Sequence, residues 1–410
     1  MRKGDKLLDR TILCIGTLDS KGPELLYVKQ HIELKAGFRA LVMDTGSLSE
    51  PFFDADITAA EVAEAAGHTL EEVRALEEAG PASAIMTAGA VKVAGDFFRE
   101  GKFQGVLSIG GGMGSGVASA VMRELPTGVP KFILSSQKIV QAGIKNYVGT
   151  KDIVVMPSMA DIAGLNRLTK DALNKAVGAI IGMMESTEVE DAEKPLVFMT
   201  MTGLSTGCGL EVKTSLENKG FEVAVFHTIG VGGQTFEELV KSYPVQGVIE
   251  LGLNEIGNEL FGGLASAGPD RLEGAGRRGI PQIVTPGCID IINFLAPETL
   301  PEKYKDRSIC YHNPQATLPR TTADELKRIA ETMASKLNNA AGPVKFLIPM
   351  QGFSSLDRRG NIFYDPVADG AFIDSLRNSL KATIELREID AHINDSEFAS
   401  AVVRAFLDIL

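Results

Sequence analysis

Short apolar runs, each closed by small or polar residues and followed by a stretch with helical spacing, recur along this chain. Thr11-Ile-Leu-Cys-Ile-Gly-Thr17 reads as a buried strand and LDSKGPE as a turn. LLYVKQHIELKAGF then reads as an amphipathic helix ended by glycine, and Arg39-Ala-Leu-Val-Met-Asp44 as a second strand. The same order returns in Pro195-Leu-Val-Phe-Met-Thr-Met201, TGLSTGCG, LEVKTSLENKGF and Glu222-Val-Ala-Val-Phe-His227. A constant offset of 183 residues places Thr17 on Thr200, Gly37 on Gly220 and Asp44 on His227 without a gap. Further along, Gln104-Gly-Val-Leu-Ser-Ile-Gly110 matches Gln246-Gly-Val-Ile-Glu-Leu-Gly252. Gly128-Val-Pro-Lys-Phe-Ile-Leu134 likewise matches Gly279-Ile-Pro-Gln-Ile-Val-Thr285.

Continuously apolar strands separated by helices belong to parallel sheets covered on both faces. The expected fold is therefore α/β: two doubly wound, mostly parallel Rossmann-like domains related by internal duplication. Residues 1–187 form the first domain and 195–410 the second, with the boundary in the polar stretch 185–194. The first half inserts residues 49–102, rich in Ala and Glu and expected to be helical, between its second and third strands. The second half carries an extension from Ala296, with further strands expected at 344–348 and 384–388.

A length of 410 residues agrees with two domains rather than one core. The formal charge of −12 argues against nucleic acid as a partner, since that needs a basic face. The four cysteines form no CxxC pair, and Cys14 falls inside an apolar strand pattern, which reads as a buried thiol. MRKGDKLLDR lacks the apolar core of a signal peptide and no apolar run has membrane-spanning length, so a cytoplasmic protein with no membrane partner is expected.

Ligands of such folds lie beyond the carboxyl ends of the strands, so the turns carry the candidate chemistry. The run Gly110-Gly-Gly-Met-Gly-Ser-Gly116 closes a strand and opens a helix. Gly110, Gly111, Gly112, Gly114, Ser115 and Gly116 there suggest an anion site, because glycines admit a close ligand and first-turn N–H groups face it. The run lacks the Lys-Ser/Thr of a P-loop and follows the third strand, not the first, which argues against both familiar nucleotide fingerprints. Thr17, Asp19, Ser20 and Lys21 follow the first strand and offer hydroxyls, a carboxylate and an ammonium. Asp44 ends the second strand, where an acid in nucleotide-binding folds reaches ribose hydroxyls. In the second half, His227 and Glu250, arriving from adjacent strand ends, and His312 in a later turn are candidate acid–base groups. Cys288 and Asp290 lie nearby in sequence, and no metal-binding set is assigned.

Cys14-Ile-Gly-Thr-Leu-Asp-Ser-Lys-Gly-Pro-Glu24, Asp44-Thr-Gly46, Asp161-Ile-Ala-Gly-Leu-Asn-Arg167, His312-Asn-Pro-Gln315 and Asp390-Ala-His-Ile-Asn-Asp395 together carry a resemblance. From about residue 8 onward the chain resembles the family of uncharacterised bacterial proteins related to the N-terminal region of a plant tobamovirus-resistance protein. The resemblance implies ATP as ligand, taken with Mg2+ mainly by the first domain, and a homodimer. The expected function is nucleotide binding through the first glycine turn. A hydrolase or lyase acting on a small carboxylated or phosphorylated metabolite in the second or interdomain crevice is the alternative, and a non-catalytic interaction protein is a third reading.

Overall fold

In the first unit five parallel strands form one sheet: β1 (Arg10–Gly16), β2 (Phe38–Asp44), β3 (Gly105–Gly110), β4 (Lys131–Ser135) and β5 (Val154–Pro157), in the order β2-β1-β3-β4-β5. The computed structural model describes residues 10–186 and 194–410. It falls into two units, Met1–Val189 and Glu190–Leu410. The N-terminal segment 1–9, read above for a signal sequence, lies outside the described residues, as does most of the polar boundary stretch.

Side-chain alternation sends β1 to both faces of its sheet. Ile12 and Cys14 join the helices Leu18–Glu33 and Arg167–Glu185 in one buried cluster. Leu13 and Ile15 join the helix Gly112–Glu124 and the insertion in another. Burial pushes the Cys14 thiol up to about 12, as a small apolar residue of a central strand requires. The insertion is helical, with segments Ala59–Ala65, Leu70–Arg74 and Ala79–Arg99. Two of these helices meet backbone to backbone: a Cβ added to Gly89 would lie 1.8 Å from the carbonyl oxygen of Val62.

The second unit repeats the plan with β6 (Leu196–Met201), β7 (Glu222–His227), β8 (Gly247–Glu250) and β9 (Gln282–Val284). An antiparallel hairpin, β10 (Ile309–Asn313) and β11 (Ala316–Pro319), precedes β12 (Val344–Pro349) and β13 (Glu385–Ile389). The parallel sheet runs β13-β12-β9-β8-β6-β7. Its β7-β6-β8-β9 part has the same order as β2-β1-β3-β4, so the repeat read in the sequence is a repeat of topology. Besides the β11 arm of the hairpin, β5 escaped the sequence reading. β5 is short, ends in proline, and lies half exposed at the sheet edge, so it lacks the apolar signature of its neighbours. Among the described residues no helix is long and apolar enough to cross a membrane.

Candidate functional site

In the first sheet the chain leaves β1 toward β2 on one side and reaches β3 on the other, so the strand order reverses between β1 and β3. A crevice must open over the carboxyl ends of those two strands. A cavity of about 540 Å³ lies there. Its floor is made of Thr17, Asp19, Ser20 and Lys21 after β1 and of Gly111, Gly112, Met113 and Gly114 after β3.

The glycines of this floor have no internal reason to be glycine. A Cβ on Gly111 or Gly114 would meet nothing within 4 Å, and one on Gly112 would meet only the Lys138 Cδ at 3.6 Å. None of the three has positive φ. A helical glycine costs about 1 kcal/mol against alanine, so open space above the turn is maintained at the expense of helix stability. The helix Gly112–Glu124 has no side-chain cap, and its internal hydrogen bonding begins at Ser115 N. The N–H groups of Gly112, Met113 and Gly114 therefore have no acceptor within the helix. The insertion helix Ala79–Arg99, whose first turn also lines the cavity, lacks a side-chain cap at Glu78. By contrast Thr58, Thr69 and Asn166 each close a full capping box on other helices of this unit.

The remaining candidates divide into those that face the cavity and those that brace it. Ser20 and Thr17 share a hydroxyl hydrogen bond of 2.6 Å, and Lys21 Nζ donates to the carbonyl of Ile162. Asp19 Oδ2 accepts from Leu48 N at 2.8 Å, whereas its Oδ1 is buried without a hydrogen-bond partner. Asp44, expected at a ribose, does not line the cavity. It is 3% exposed, and its Oδ1 accepts from Leu18 N at 2.9 Å and Gly46 N at 2.8 Å. Burial raises its pKa, and its carboxyl ties the β2 turn to the first turn of the neighbouring helix. Ser115 bonds Ser135 at 2.7 Å, and neither it nor Gly110 nor Gly116 lines the cavity. Two cations that the sequence reading missed do line it, Arg74 and Lys138. Lys138 was signalled only by its position just after the Ser-Ser-Gln turn that ends β4; Arg74 comes from the insertion and had no signal.

The second unit treats the corresponding strand ends differently. Glu250 is not a free acid–base group: Arg271 donates to its two oxygens at 2.7 and 2.6 Å, and the Thr200 hydroxyl donates at 2.8 Å. Arg271, fully buried, also bonds Glu255 at 2.7 Å and Glu237 at 3.2 Å. His227 does not join Glu250, because β6 separates β7 from β8; the expected adjacency of their strand ends is wrong. His227 ends an edge strand and is exposed, and His312 is exposed on the β10–β11 hairpin.

Protein atoms, backbone and carboxylate, fill the space above these strands. A Cβ on Gly287 would lie 1.9 Å from the Leu251 carbonyl oxygen, and one on Gly233 would lie 2.0 Å from Glu255 Oε2. Gly287→Ala is expected to lower the stability of this unit by at least about 2 kcal/mol, the scale of an overpacked core. An unchanged urea midpoint in that variant would contradict the close approach. Beside it, Cys288 adopts φ +60° and contacts the Thr202 hydroxyl at 3.0 Å, and burial pushes its thiol up to about 12. A buried cluster follows: Asp290 Oδ2 accepts from Ser354 at 2.6 Å, and Arg320 lies 2.8 Å from Asp369 and 3.9 Å from Asp357.

Comparison with known proteins places both halves. Residues 10–189 match the uncharacterised protein family (UPF0261) N-terminal domain, and residues 194–410 match its C-terminal domain. A UPF0261 protein of Clostridium tetani is 36% identical over 405 residues, covering 98% of this chain and all of the relative. One from Rhizobium meliloti is 36% identical over 411 residues, covering 98% of this chain and 99% of the relative. The ToMV resistance protein Tm-1(GCR237) of Solanum lycopersicum is 33% identical over 425 residues, covering 97% of this chain and 55% of that protein. Among solved structures, a UDP-GlcNAc 2-epimerase from Neisseria meningitidis bound to UDP-GlcNAc aligns over 67% of this chain and 82% of that one. Its identity is 10% and its TM-score 0.25. With both domain models matched in order and relatives aligned over nearly the whole length, the chain belongs to the UPF0261 family.

Proposed function

We propose that the first unit binds a nucleotide, ATP with Mg2+, with its phosphates over the glycine turn at the β1/β3 switch point. The observation that carries this reading is the turn itself. Gly111, Gly112 and Gly114 border a cavity, leave uncapped N–H groups toward it, and have space where side chains would stand. Uncapped helix N-termini favour anions through directed N–H groups and the helix dipole. The volume falls within the ~300–1,000 Å³ range of small-molecule sites. Lys21, Arg74 and Lys138 border it together with Asp19, Glu77 and Glu78; Arg74 is paired with Glu50, which leaves Lys138 as the cation set beside the glycine turn.

The acidic groups suit Mg2+ shared with phosphate. Among the described residues no cluster of three or more His, Cys, Asp or Glu is arranged to hold a metal alone. Asp19 has an oxygen with no protein partner, and Mg2+ in nucleotide sites commonly takes one or two carboxylates plus phosphate oxygens and water. Asp19 would hold the cation, the Gly111–Gly114 turn the phosphates, and Asp44 would keep the two turns in register.

Titration calorimetry with ATP and Mg2+ tests the assignment. Gly112→Asp places a carboxylate in the space above the turn without a clash in the protein, so it is expected to fold normally and to weaken binding by at least about 100-fold. Equal affinity in the variant and the parent sinks the proposal.

A further inference from the structure

Resting on the nucleotide reading, the structure assigns the insertion a role in choosing the ligand. We infer that segment 48–86, together with Met113, is the specificity wall of the glycine cradle. It selects phosphate compounds that carry a flat apolar group and discriminates against free polyphosphate.

Large apolar side chains left in water are the observation behind this inference. Leu48 is 75% exposed, Met113 58% and Leu76 39%, and all three line the same cavity as the glycine turn. They come from separate places: the loop after β2, the first turn of Gly112–Glu124, and the link between two insertion helices. Val73 and Met86 line it too and are almost fully buried, which gives the wall a fixed apolar base. Each exposed apolar Å² gains roughly 25 cal/mol when a ligand covers it. An anion seated on the glycines leaves this wall in contact with water; a ligand with an aromatic ring beyond its phosphates covers both. Methionine suits that task, because its flexible thioether adapts to a ring face.

The second unit provides an internal control. It lacks the insertion, since only three residues separate His227 from the helix Val231–Val240. Gly287 after β9 and Gly233 in the first turn of Val231–Val240 are pressed against the Leu251 carbonyl and the Glu255 carboxylate instead of bordering open space. Part of the charge recognition lies outside the wall, at Lys138. Lys138 reaches across the turn from the far side, with its Cδ 3.6 Å from where a Gly112 Cβ would stand.

Calorimetry on the full chain with ATP, adenosine and tripolyphosphate, each with Mg2+, separates the parts. The parent is expected to bind ATP at least about tenfold more tightly than tripolyphosphate, the usual scale for an apolar group in a pocket. Leu76→Ser and Met113→Ser are expected to weaken ATP and adenosine by about tenfold each and leave tripolyphosphate unchanged. Lys138→Gln should do the reverse, weakening ATP and tripolyphosphate but not adenosine. Both serine variants replace exposed side chains, and a thermal melt checks that they fold. If tripolyphosphate binds the parent as tightly as ATP, or both serine variants bind ATP like the parent, the wall has no such role although the cradle stands. If neither ATP nor tripolyphosphate binds the parent, the cradle and the wall fall together.

Discussion

Replacing Arg271 by methionine is expected to unfold the second unit at neutral pH. The side chain is fully buried and bonds Glu237, Glu250 and Glu255, which are themselves buried. It also lies over the Phe236 ring, with 5.2 Å from its Cζ to the centroid. Removing one partner of a buried ion pair costs about 3–5 kcal/mol, because the remaining charge is stranded. Here three carboxylates lose their one cation. Against a typical domain stability of about 5–15 kcal/mol, little margin is left. Burial already raises the pKa of Glu237 and Glu255 against the pull of Arg271. With the guanidinium gone, protonation becomes the available relief, so the variant should regain structure as pH falls toward 5. Circular dichroism and urea unfolding at pH 5 and pH 7.5 measure this. A parent-like midpoint at neutral pH would show that the network does not hold the unit together. Adding Glu250→Gln to Arg271→Met should recover part of the loss, since the coupled pair is then removed as a whole. By the same logic Glu250→Gln alone should act on stability.

The second large effect is a fall in stability with rising pH, and its source is the cluster around Arg320. Asp290 and Asp357 are fully buried and Asp369 nearly so, and Arg320 is the cation placed among them. Neutrality is reached when one carboxyl group is ionised and the other two keep their protons. In accord with this, burial and then the charge of Asp357 push Asp290 up to about 7 and Asp369 up to about 9. An aspartate in the unfolded chain titrates near 3.9. The folded chain thus holds protons that the unfolded chain has released. Stability from these groups is greatest below about pH 4, declines as pH rises through about 7 and then about 9, and levels off above. Each retained proton contributes a slope of about 1.4 kcal/mol per pH unit. Asp290→Asn keeps an oxygen for the Ser354 hydroxyl and removes one titration. Between pH 4 and pH 8 the variant should therefore gain up to about 4 kcal/mol relative to the parent. Urea midpoints across that range decide it. A difference between the two chains that does not change with pH would mean that Asp290 is ionised in the folded state.

Both effects depend on groups whose partners the sequence hides. Glu250 was visible as an acid at a strand end and was expected there as an acid–base group, whereas its carboxylate is held by Arg271 and Thr200. Its partner Arg271 comes from a turn-rich stretch 21 residues further on, and no spacing rule links the two. His227 and Glu250 were expected together because their strands follow one another in the chain. Sheet order, which places β6 between them, separates them. Asp44 has the position of a ribose-binding acid but gives its carboxyl to two backbone N–H groups. Lys138 and Arg74 reach the cavity from the turn after β4 and from the insertion, and no motif marks either.

The sequence by itself determined the α/β plan, the repeat of strand-turn-helix units, the helical insertion and the location of the glycine turn. These follow from periodicity and from local chain chemistry, in which apolar runs, helix spacing and glycine preferences act over a few residues. The tertiary structure decided which strand ends hold a cavity and which are filled. That depends on contacts between distant segments: an insertion that walls one crevice, a turn at Gly287 pressed against Leu251 in the other, and a buried arginine that claims the acids there. Similar local patterns therefore have different surroundings in the two halves, because burial and charge pairing are set by neighbours in space.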